Sequence, residues 1–376
     1  MNIRSYILCL AAFVGLLVSC AKIEQAEGRV EDRQICYDVV QDRSAVTKAA
    51  GVYPTGQSFA SYAWYLPDGK NWADDKADAQ LYINRAEVSY DNANNSWYDQ
   101  TTSYYWPMTG ALTFFSISPA SLAGAVTITS TNGFTITDWN VHNHQDKDIM
   151  VADIQTDKNA NQTVGSFTGV PTIFRHKLAM IESFTFNTFK NYAPGYTTYG
   201  SYKKEDRSFF ITSVNINKVK QQGRFVSGNA PSSINIGQWQ VSDASAENNY
   251  TWFSGKEEIV YSSTAESLTA NGLSGRENIL LLPQAFANPG TSDVKDVPHI
   301  EVTYVTYEYT DDSGKNYTSH TTTARASLYD VLKSVGNRID MNKKFTFNIT
   351  INLDSNLIIW APDQNDWIGN DFNISI

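Results

Sequence analysis

Regular alternation of apolar and polar residues recurs along this chain and predicts β-strands. The alternation is clearest in Val302 to Tyr309 (VTYVTYEY) and in Phe345 to Ile351 (FTFNITI), with a shorter example at Val126 to Thr129. Successive side chains of a strand point to opposite faces, so these segments should each have one buried face and one exposed face. Turn-forming residues separate such segments at spacings typical of an all-β sandwich. We therefore predict an all-β fold with few short helices.

One segment favours a helix, namely Ser327 to Val335, which Gly336 ends. A second change of pattern occurs from Asp157 to Gly169 (DKNANQTVGSFTG), where turn formers dominate between two apolar segments. A chain of 376 residues suits two domains of ordinary size. We place the N-terminal domain at residues 35–165 and the C-terminal domain at residues 166–376.

The first residues have the pattern of a bacterial lipoprotein signal. Arg4 precedes an apolar run from Ile7 to Val18, and a small residue then stands directly before Cys20. The run is shorter than the ~20 apolar residues that a membrane-spanning helix needs. We predict a signal peptide at residues 1–19, a lipid on Cys20 and a polar tether at residues 20–34. The alternative is an ordinary signal peptide that happens to contain Cys20.

The composition excludes some classes of function. Charged residues make up 18% of the chain, the net charge is −10, and no basic stripe stands out. Binding to nucleic acid is therefore disfavoured, since it needs a positive surface.

No set of residues assembles into a catalytic or metal site. His142 and His144 would share one side of a strand, with Asp146 nearby, but no third ligand follows at a convincing spacing, which favours a polar loop. His176 lies between Arg175 and Lys177 on an apolar strand and is interpreted as a structural histidine. A nucleophile, its base and an oxyanion partner cannot be brought together from the sequence. We predict a protein without enzymatic activity and without a cofactor or metal.

The tryptophans suggest a second class of function, a surface lipoprotein that binds glycans on exposed aromatic platforms. Burial of these side chains would argue against that class. The candidates are Trp64, Trp72, Trp97, Trp106, Trp139, Trp239 and Trp252.

Several short motifs together resemble the fimbrillin-like family, whose members are exported lipoproteins that build type V pili of Gram-negative bacteria. No motif is specific alone, but their order extends over nearly the whole mature chain. They are the signal ending at Cys20, Val46-Thr47-Lys48-Ala49 after the first strand, Tyr104-Tyr105-Trp106-Pro107, Asp148-Ile149-Met150-Val151-Ala152, Phe174-Arg175-His176-Lys177-Leu178, Ile279-Leu280-Leu281-Leu282-Pro283-Gln284 and Asp366-Trp367.

The resemblance implies two tandem β-sandwich domains of transthyretin-like topology and a role as stalk, tip or anchor subunit of outer-membrane fimbriae at the cell surface. The implied partners are other fimbrial subunits, the membrane through the lipid on Cys20, and a surface receptor. It also implies assembly by strand exchange, in which a protease cuts after the first strand and an extended segment of the next subunit fills the groove.

Carried onto this sequence, the strand to be removed is Ile35 to Val40, and Arg43 and Lys48 are the candidate cleavage sites, with Arg43 favoured by position. The donor segment is the C-terminus, where Phe372, Ile374 and Ile376 share one face of an extended strand. Two alternatives stay open: these C-terminal residues complete their own domain, or the protein is an uncleaved tip or anchor subunit.

Overall fold

The computed structural model of the chain describes residues 34–43, 50–51, 53–160, 169–188, 207–229, 237–241, 247–259, 266–267, 278–309, 316–352 and 357–367. Strands dominate this part of the chain, so the predicted all-β class is confirmed. Within these ranges no helix is long and apolar enough to cross a bilayer.

Among the described residues, twelve strands precede residue 190. They are β1 (Tyr37–Arg43), β2 (Ala50–Gly51), β3 (Phe59–Leu66), β4 (Gln80–Asp91), β5 (Ser96–Asp99), β6 (Ala111–Ser118), β7 (Val126–Thr129), β8 (Gly133–Asn140), β9 (Met150–Ala152), β10 (Gln155–Lys158), β11 (Val170–His176) and β12 (Ala179–Thr188).

Twelve more strands follow in the ranges that the structure describes. They are β13 (Arg207–Lys220), β14 (Gln222–Val226), β15 (Gln238–Val241), β16 (Glu247–Glu258), β17 (Glu266–Ser267), β18 (Ile279–Leu281), β19 (Gln284–Ala285), β20 (His299–Tyr309), β21 (Tyr317–Ser327), β22 (Arg338–Ile339), β23 (Lys343–Asn352) and β24 (Leu357–Asp366).

The described helices are short. Two are α-helices, α1 (Trp72–Asp75) and α2 (Leu328–Val331), and the 3-10 turns are Lys76–Asp78, Ala120–Gly124, His142–His144, Val294–Asp296 and Lys333–Val335. The helix predicted at 327–335 is therefore present, but it changes from α to 3-10 geometry. At the start of the helix the Ser327 hydroxyl accepts a hydrogen bond from the amide of Asp330. At the other end, Gly336 takes a φ of +89° and ends the helix.

Seven strands of the first half close into a ring. Their order is β6, β3, β4, β5, β1, β11 and β9, and β9 returns to β6 through the pairs Ile117↔Val151 and Ser118↔Met150. Aromatic rings fill the interior, where Phe59 packs against Trp97 and Phe174 at 6.0 and 5.1 Å between ring centroids. The ring therefore has its own apolar core.

Two sheets of the second half face each other across another core. One contains β17, β12, β23, β24 and β18, and the other has the order β16, β13, β20, β21. Phe184 and Phe347 on the first sheet share a cluster of buried residues with Ile211 and Val302 on the second. The strand predicted at Val302 to Tyr309 is confirmed, because it lies in β20, which pairs with β21 along its whole length from His299↔Ser327 to Tyr309↔Tyr317.

Strand pairings cross the predicted domain boundary at residue 165. β11 follows the boundary in sequence but lies in the ring beside β1, and β14 and β15 pair with β8 and β7 in one four-stranded sheet. A third cluster of buried residues accordingly contains Phe115 and Phe134 together with Leu178, Phe225 and Leu280. The assignment of two domains at 35–165 and 166–376 stays a prediction.

Candidate functional site

The first strand is inserted between strands that come later in the chain. β1 pairs in parallel with β11 through five residue pairs, from Tyr37↔Val170 to Gln41↔Phe174. On its other side it pairs with β5 only at Tyr37↔Trp97 and then with the two-residue β2. One edge of β1 thus has a continuous ladder, whereas the other edge has only isolated pairs.

Apolar side chains of this first segment fill the interior of the ring. Ile35 and Tyr37 are 3% and 4% exposed, and Val39 packs partly buried against the same cluster. The Tyr37 ring makes edge contacts with Phe59 at 5.5 Å and Phe114 at 6.1 Å between centroids. Burial raises the pKa of the Tyr37 hydroxyl well above its ordinary value, because the charged phenolate would lose its hydration.

Gly169 gives β1 the space to lie against β11. A methyl group at this position would stand 2.7 Å from the carbonyl carbon of Tyr37 and 2.8 Å from the carbonyl oxygen of Cys36. The amide of Val170 donates to the same Cys36 oxygen at 2.7 Å. Any side chain beyond glycine at 169 would therefore push the backbone of β1 away from its partner.

The structure shifts the first strand relative to the sequence prediction. The predicted strand was Ile35 to Val40, whereas β1 is Tyr37–Arg43. Arg43 consequently lies at the end of β1, where it pairs with Ala50, instead of in the following loop. Apolar alternation ends at Val40, so backbone pairing with β2 is what extends the strand through polar residues.

The other predicted processing, lipid and donor residues lie outside the described residues. These are Lys48, Cys20, Phe372, Ile374 and Ile376. Their roles stay predictions, as does the role of Arg43.

His142 and His144 lie in a 3-10 turn, and the ring of each packs against an aromatic side chain. The ring of His144 stacks on Trp139 at 4.2 Å, and its Nδ1 lies 2.8 Å from the carbonyl oxygen of Asn140. His142 meets the edge of Tyr250 at 5.0 Å. Within the part of the chain that the structure describes, no group of three potential ligands is placed to hold a metal ion.

The basic triplet after Phe174 is buried, and its first two members form pairs with carboxylates. Arg175 forms a bidentate ion pair with Asp153, with both nitrogen to oxygen distances at 2.8 Å. His176 is fully buried, and its Nδ1 lies 2.6 Å from Oδ2 of Asp148. Its interpretation as a structural histidine is confirmed. The sequence analysis had noted the motif that begins at Asp148. Nothing in the sequence, however, showed that Asp148 pairs with His176 or that Asp153 pairs with Arg175.

The tryptophans considered as a glycan platform lie mostly in the core. Trp239 is partly buried, and its indole nitrogen donates to the carbonyl oxygen of Lys177 at 2.5 Å. An aromatic platform needs exposed ring faces, so this burial argues against glycan binding by these residues. The buried members are Trp64, Trp72, Trp97, Trp106, Trp139 and Trp252.

The fold and the position of β1 define an all-β protein whose first strand completes a ring built from later strands. The sequence model of the fimbrillin-like family matches residues 66–367 of the chain. The chain belongs to the fimbrillin-like family, and the resemblance expected from the sequence motifs is confirmed.

Solved structures of fimbrial proteins align with most of this chain. A crystal structure of a fimbrial protein from Bacteroides vulgatus aligns with 15% identity over 89% of this chain and 99% of that chain, with a TM-score of 0.59. The fimbrial anchor protein Mfa2 from Porphyromonas gingivalis aligns with 10% identity over 89% of this chain and 97% of that chain, with a TM-score of 0.28. A comparison with curated proteins gave no match. The likeness to the Bacteroides vulgatus protein indicates a shared fold.

Proposed function

We propose that this protein is a structural or adhesive subunit of bacterial surface fimbriae, without enzymatic activity, which joins other subunits by β-strand exchange. Membership of the fimbrillin-like family supports the fimbrial role. The observation that carries the exchange mechanism is the position of β1, which fills the core of the ring yet has a continuous ladder on one edge only.

The position of β1 supports strand exchange for a physical reason. Removal of β1 would expose the edge of β11 and a channel lined by Phe59, Phe114 and Phe174. Unpaired amide and carbonyl groups beside an apolar channel bind an extended segment, because the ladder and the side-chain packing form together. The side chains that leave are spaced two residues apart, at Ile35, Tyr37 and Val39.

The C-terminal segment has the same spacing as the strand that it would replace. Phe372, Ile374 and Ile376 alternate with the polar residues Asp371, Asn373 and Ser375. In an extended strand these three apolar side chains share one face, as Ile35, Tyr37 and Val39 do. The C-terminus of one subunit is therefore a chemically suitable donor for the channel of the next.

Export as a lipoprotein would place the subunit at the outer membrane. A lipid on Cys20, after cleavage of residues 1–19, would hold the subunit at the outer membrane through the tether at 20–34 until a cut after Arg43 or Lys48 releases it. An uncleaved protein would act as a tip or anchor subunit instead of a stalk subunit. A surface receptor would be a further partner.

We also propose that the described sheets belong to two tandem sandwiches of transthyretin-like topology. The two facing sheets of the second half support this for the C-terminal sandwich, since they enclose one core. The closed ring of the first half supports an independent N-terminal core.

Limited proteolysis tests this function. Treatment of the purified protein with an arginine-specific protease should remove the segment that ends at Arg43, as read by the mass of the new N-terminus, and should produce ladders that resist mild detergent. Arg43→Gln should prevent both effects if Arg43 is the site, and Lys48→Gln with a trypsin-like protease tests the second candidate. Arg224→Gln, an exposed arginine on β14, is the matched control. Cleavage after Arg43 or Lys48 without any change of assembly state would contradict a role as a stalk subunit.

A further inference from the structure

One of the two facing sheets of the second half ends in a strand with an open edge. β21 pairs with β20 from His299↔Ser327 to Tyr309↔Tyr317 without a register shift. No other strand in the described part of the chain pairs with β21, which ends the sheet of β16, β13, β20 and β21. Backbone amide and carbonyl groups along residues 318–326 are therefore placed to pair with a further strand.

The other long edge strands carry features that oppose such pairing. Of the strands that end a described sheet, β16, β21 and β24 are longer than four residues. The pairing of β16 with β13 shifts register three times, and its residues 256–258 (KEE) are all charged. β24 contains Pro362, which has no amide hydrogen, together with Asp363 and Asp366. Register shifts, charges and proline are the features that keep edge strands from associating.

β21 has little protection of this kind. Residues 318–327 (TSHTTTARAS) contain no proline, lysine, aspartate or glutamate. The one permanent charge of this segment, on Arg325, is paired with Glu301 of β20 at 2.6 Å. The three consecutive threonines favour extended backbone, because their branched side chains fit a pleated surface. Among the described edge strands, β21 is therefore the one best suited to the addition of a strand.

The inner face of β21 leaves the core beneath it incompletely covered. Ala324 and Ala326 lie opposite Val302 and Ile300 of β20. Both valine and isoleucine are fully buried, whereas the two alanines pack against the same cluster and are only partly buried. A strand added beside β21 would continue the sheet and cover these alanines, so the addition would bury apolar surface as well as form hydrogen bonds.

We propose that the strand added is β21 of a second copy of this protein, which pairs antiparallel with β21 of the first and places Thr322 opposite Thr322. In this register Thr321 lies opposite Thr323, and Ser319 lies opposite Arg325, so no like charges face each other. Opposed threonines stabilise an antiparallel pair through their side chains. The contact uses the same surface on both copies and is therefore closed at two.

A second copy fits this edge better than a flexible peptide does. Its β21 is already extended over the same length, whereas a peptide would lose conformational entropy on binding. A contact of one strand pair is smaller than the ~1,200 Å² of an ordinary stable interface, so isolated copies should pair weakly. If the subunits form fimbriae as proposed above, rows of copies would pair side by side at high effective concentration. The pairing of two copies does not itself depend on that function.

Amide hydrogen exchange of the uncleaved wild-type protein at two concentrations tests the pairing. The peptide that covers residues 318–326 should exchange at least about threefold more slowly at about 500 µM than at about 5 µM, because pairing protects the open edge. The other edge strand of the sheet, β16, is the matched control and should exchange equally at both concentrations. Equal exchange of residues 318–326 at both concentrations overturns the proposal, and so does an equal slowing of β16.

An exchange of charges tests the register. A variant with Thr321→Lys and Thr323→Lys should lose the concentration dependence, and so should one with Thr321→Glu and Thr323→Glu, because like charges then face each other. An equimolar mixture of the two should regain it, which a mere folding defect would not allow, and Thr131→Lys in an exposed turn should behave as the wild type. Concentration dependence that persists in either variant alone, or that stays absent in the mixture, overturns the proposal. No step requires cleavage or ladder formation, so failure of strand exchange would be seen separately.

Discussion

The imidazole of His176 lies flat against the indole of Trp367. Their ring centroids are 3.8 Å apart with 5° between the planes, and both side chains are fully buried. His176 ends β11 in the ring, while Trp367 follows β24, so the contact joins the first half of the fold to the last described residue. The amide of Trp367 donates to the carbonyl oxygen of Asn342 and fixes the backbone there. The stack therefore sets where the C-terminal segment begins.

Replacement of Trp367 by alanine should destabilise the protein strongly. Loss of a buried tryptophan removes its packing and leaves a cavity, which lowers the free energy of unfolding by about 3–5 kcal/mol. Urea unfolding followed by circular dichroism measures the effect. Ile359→Ala is the control, because Ile359 is 46% exposed and should cost less than about 1 kcal/mol. Equal unfolding midpoints for the two variants would show that the stack contributes little.

The buried pair of Arg175 and Asp153 predicts an asymmetric mutational response. Asp153→Asn removes the carboxylate charge that pairs with the buried guanidinium, which should cost about 3–5 kcal/mol of the free energy of unfolding. The double variant Arg175→Met and Asp153→Leu removes both charges and should be less destabilised than the single variant. Urea titration of the wild type, Asp153→Asn and the double variant gives the comparison. A double variant that is less stable than Asp153→Asn contradicts this reading.

Two buried tyrosines predict a loss of stability at alkaline pH. Burial is the main cause that raises the pKa of Tyr37 and of Tyr53 above the ordinary value near 10. Below about pH 10 the two tyrosines contribute their full stabilisation, because the folded and the unfolded chain both keep the phenol protons. Above this pH the unfolded chain releases protons that the folded chain retains, so the free energy of unfolding falls by up to about 1.4 kcal/mol per pH unit for each tyrosine.

Urea midpoints between pH 8 and 11, measured together with tyrosinate absorbance, check this slope. Tyr53→Phe should make the decrease less steep, although it also removes the 2.7 Å hydrogen bond with Ser118. Tyr317→Phe, at an exposed position, should leave the slope unchanged. A midpoint that does not vary with pH across this range would refute the assignment.

Gly169→Ala should loosen β1 specifically. The added methyl would approach the backbone of Tyr37 to 2.7 Å, and overpacking of this kind costs about 1–3 kcal/mol. Amide hydrogen exchange in β1 should accelerate by about tenfold or more, and cleavage after Arg43 should be faster. Gly124→Ala is the control, because a methyl there meets no atom within 4 Å. Unchanged exchange in Gly169→Ala would mean that β1 is not held by its contact with β11.

Local patterns predicted the strands better than the way they pair. The strand at Val302 to Tyr309 and the helix that begins near Ser327 depend on neighbouring residues, and both predictions were confirmed. The extension of β1 to Arg43 depends on pairing with Ala50, and the closure of the ring depends on β9 meeting β6. Such contacts join segments that are distant in sequence, so the local periodicity of the chain does not predict them.

The candidate site shows the same difference between local patterns, which the sequence indicates, and long-range contacts, which it does not. The resemblance to the fimbrillin-like family singled out the first strand and the motif around His176. It did not indicate that Gly169 lies against Tyr37, or that His176 meets Trp367, since each contact brings together residues far apart in the chain. The glycan alternative depended on exposed tryptophans, and only the folded structure could report their burial.

The most direct test of the central claim is the assembly of a subunit whose donor segment has lost its apolar face. The triple variant Phe372→Ser, Ile374→Ser and Ile376→Ser should be cleaved after β1 as the wild type is, but should form no detergent-resistant ladder on an unheated gel. The matched control changes the opposite face, with Asp371→Ala, Asn373→Ala and Ser375→Ala, and should keep the ladder. A triple serine variant that forms the same ladder as the wild type would contradict assembly by strand exchange through the C-terminus.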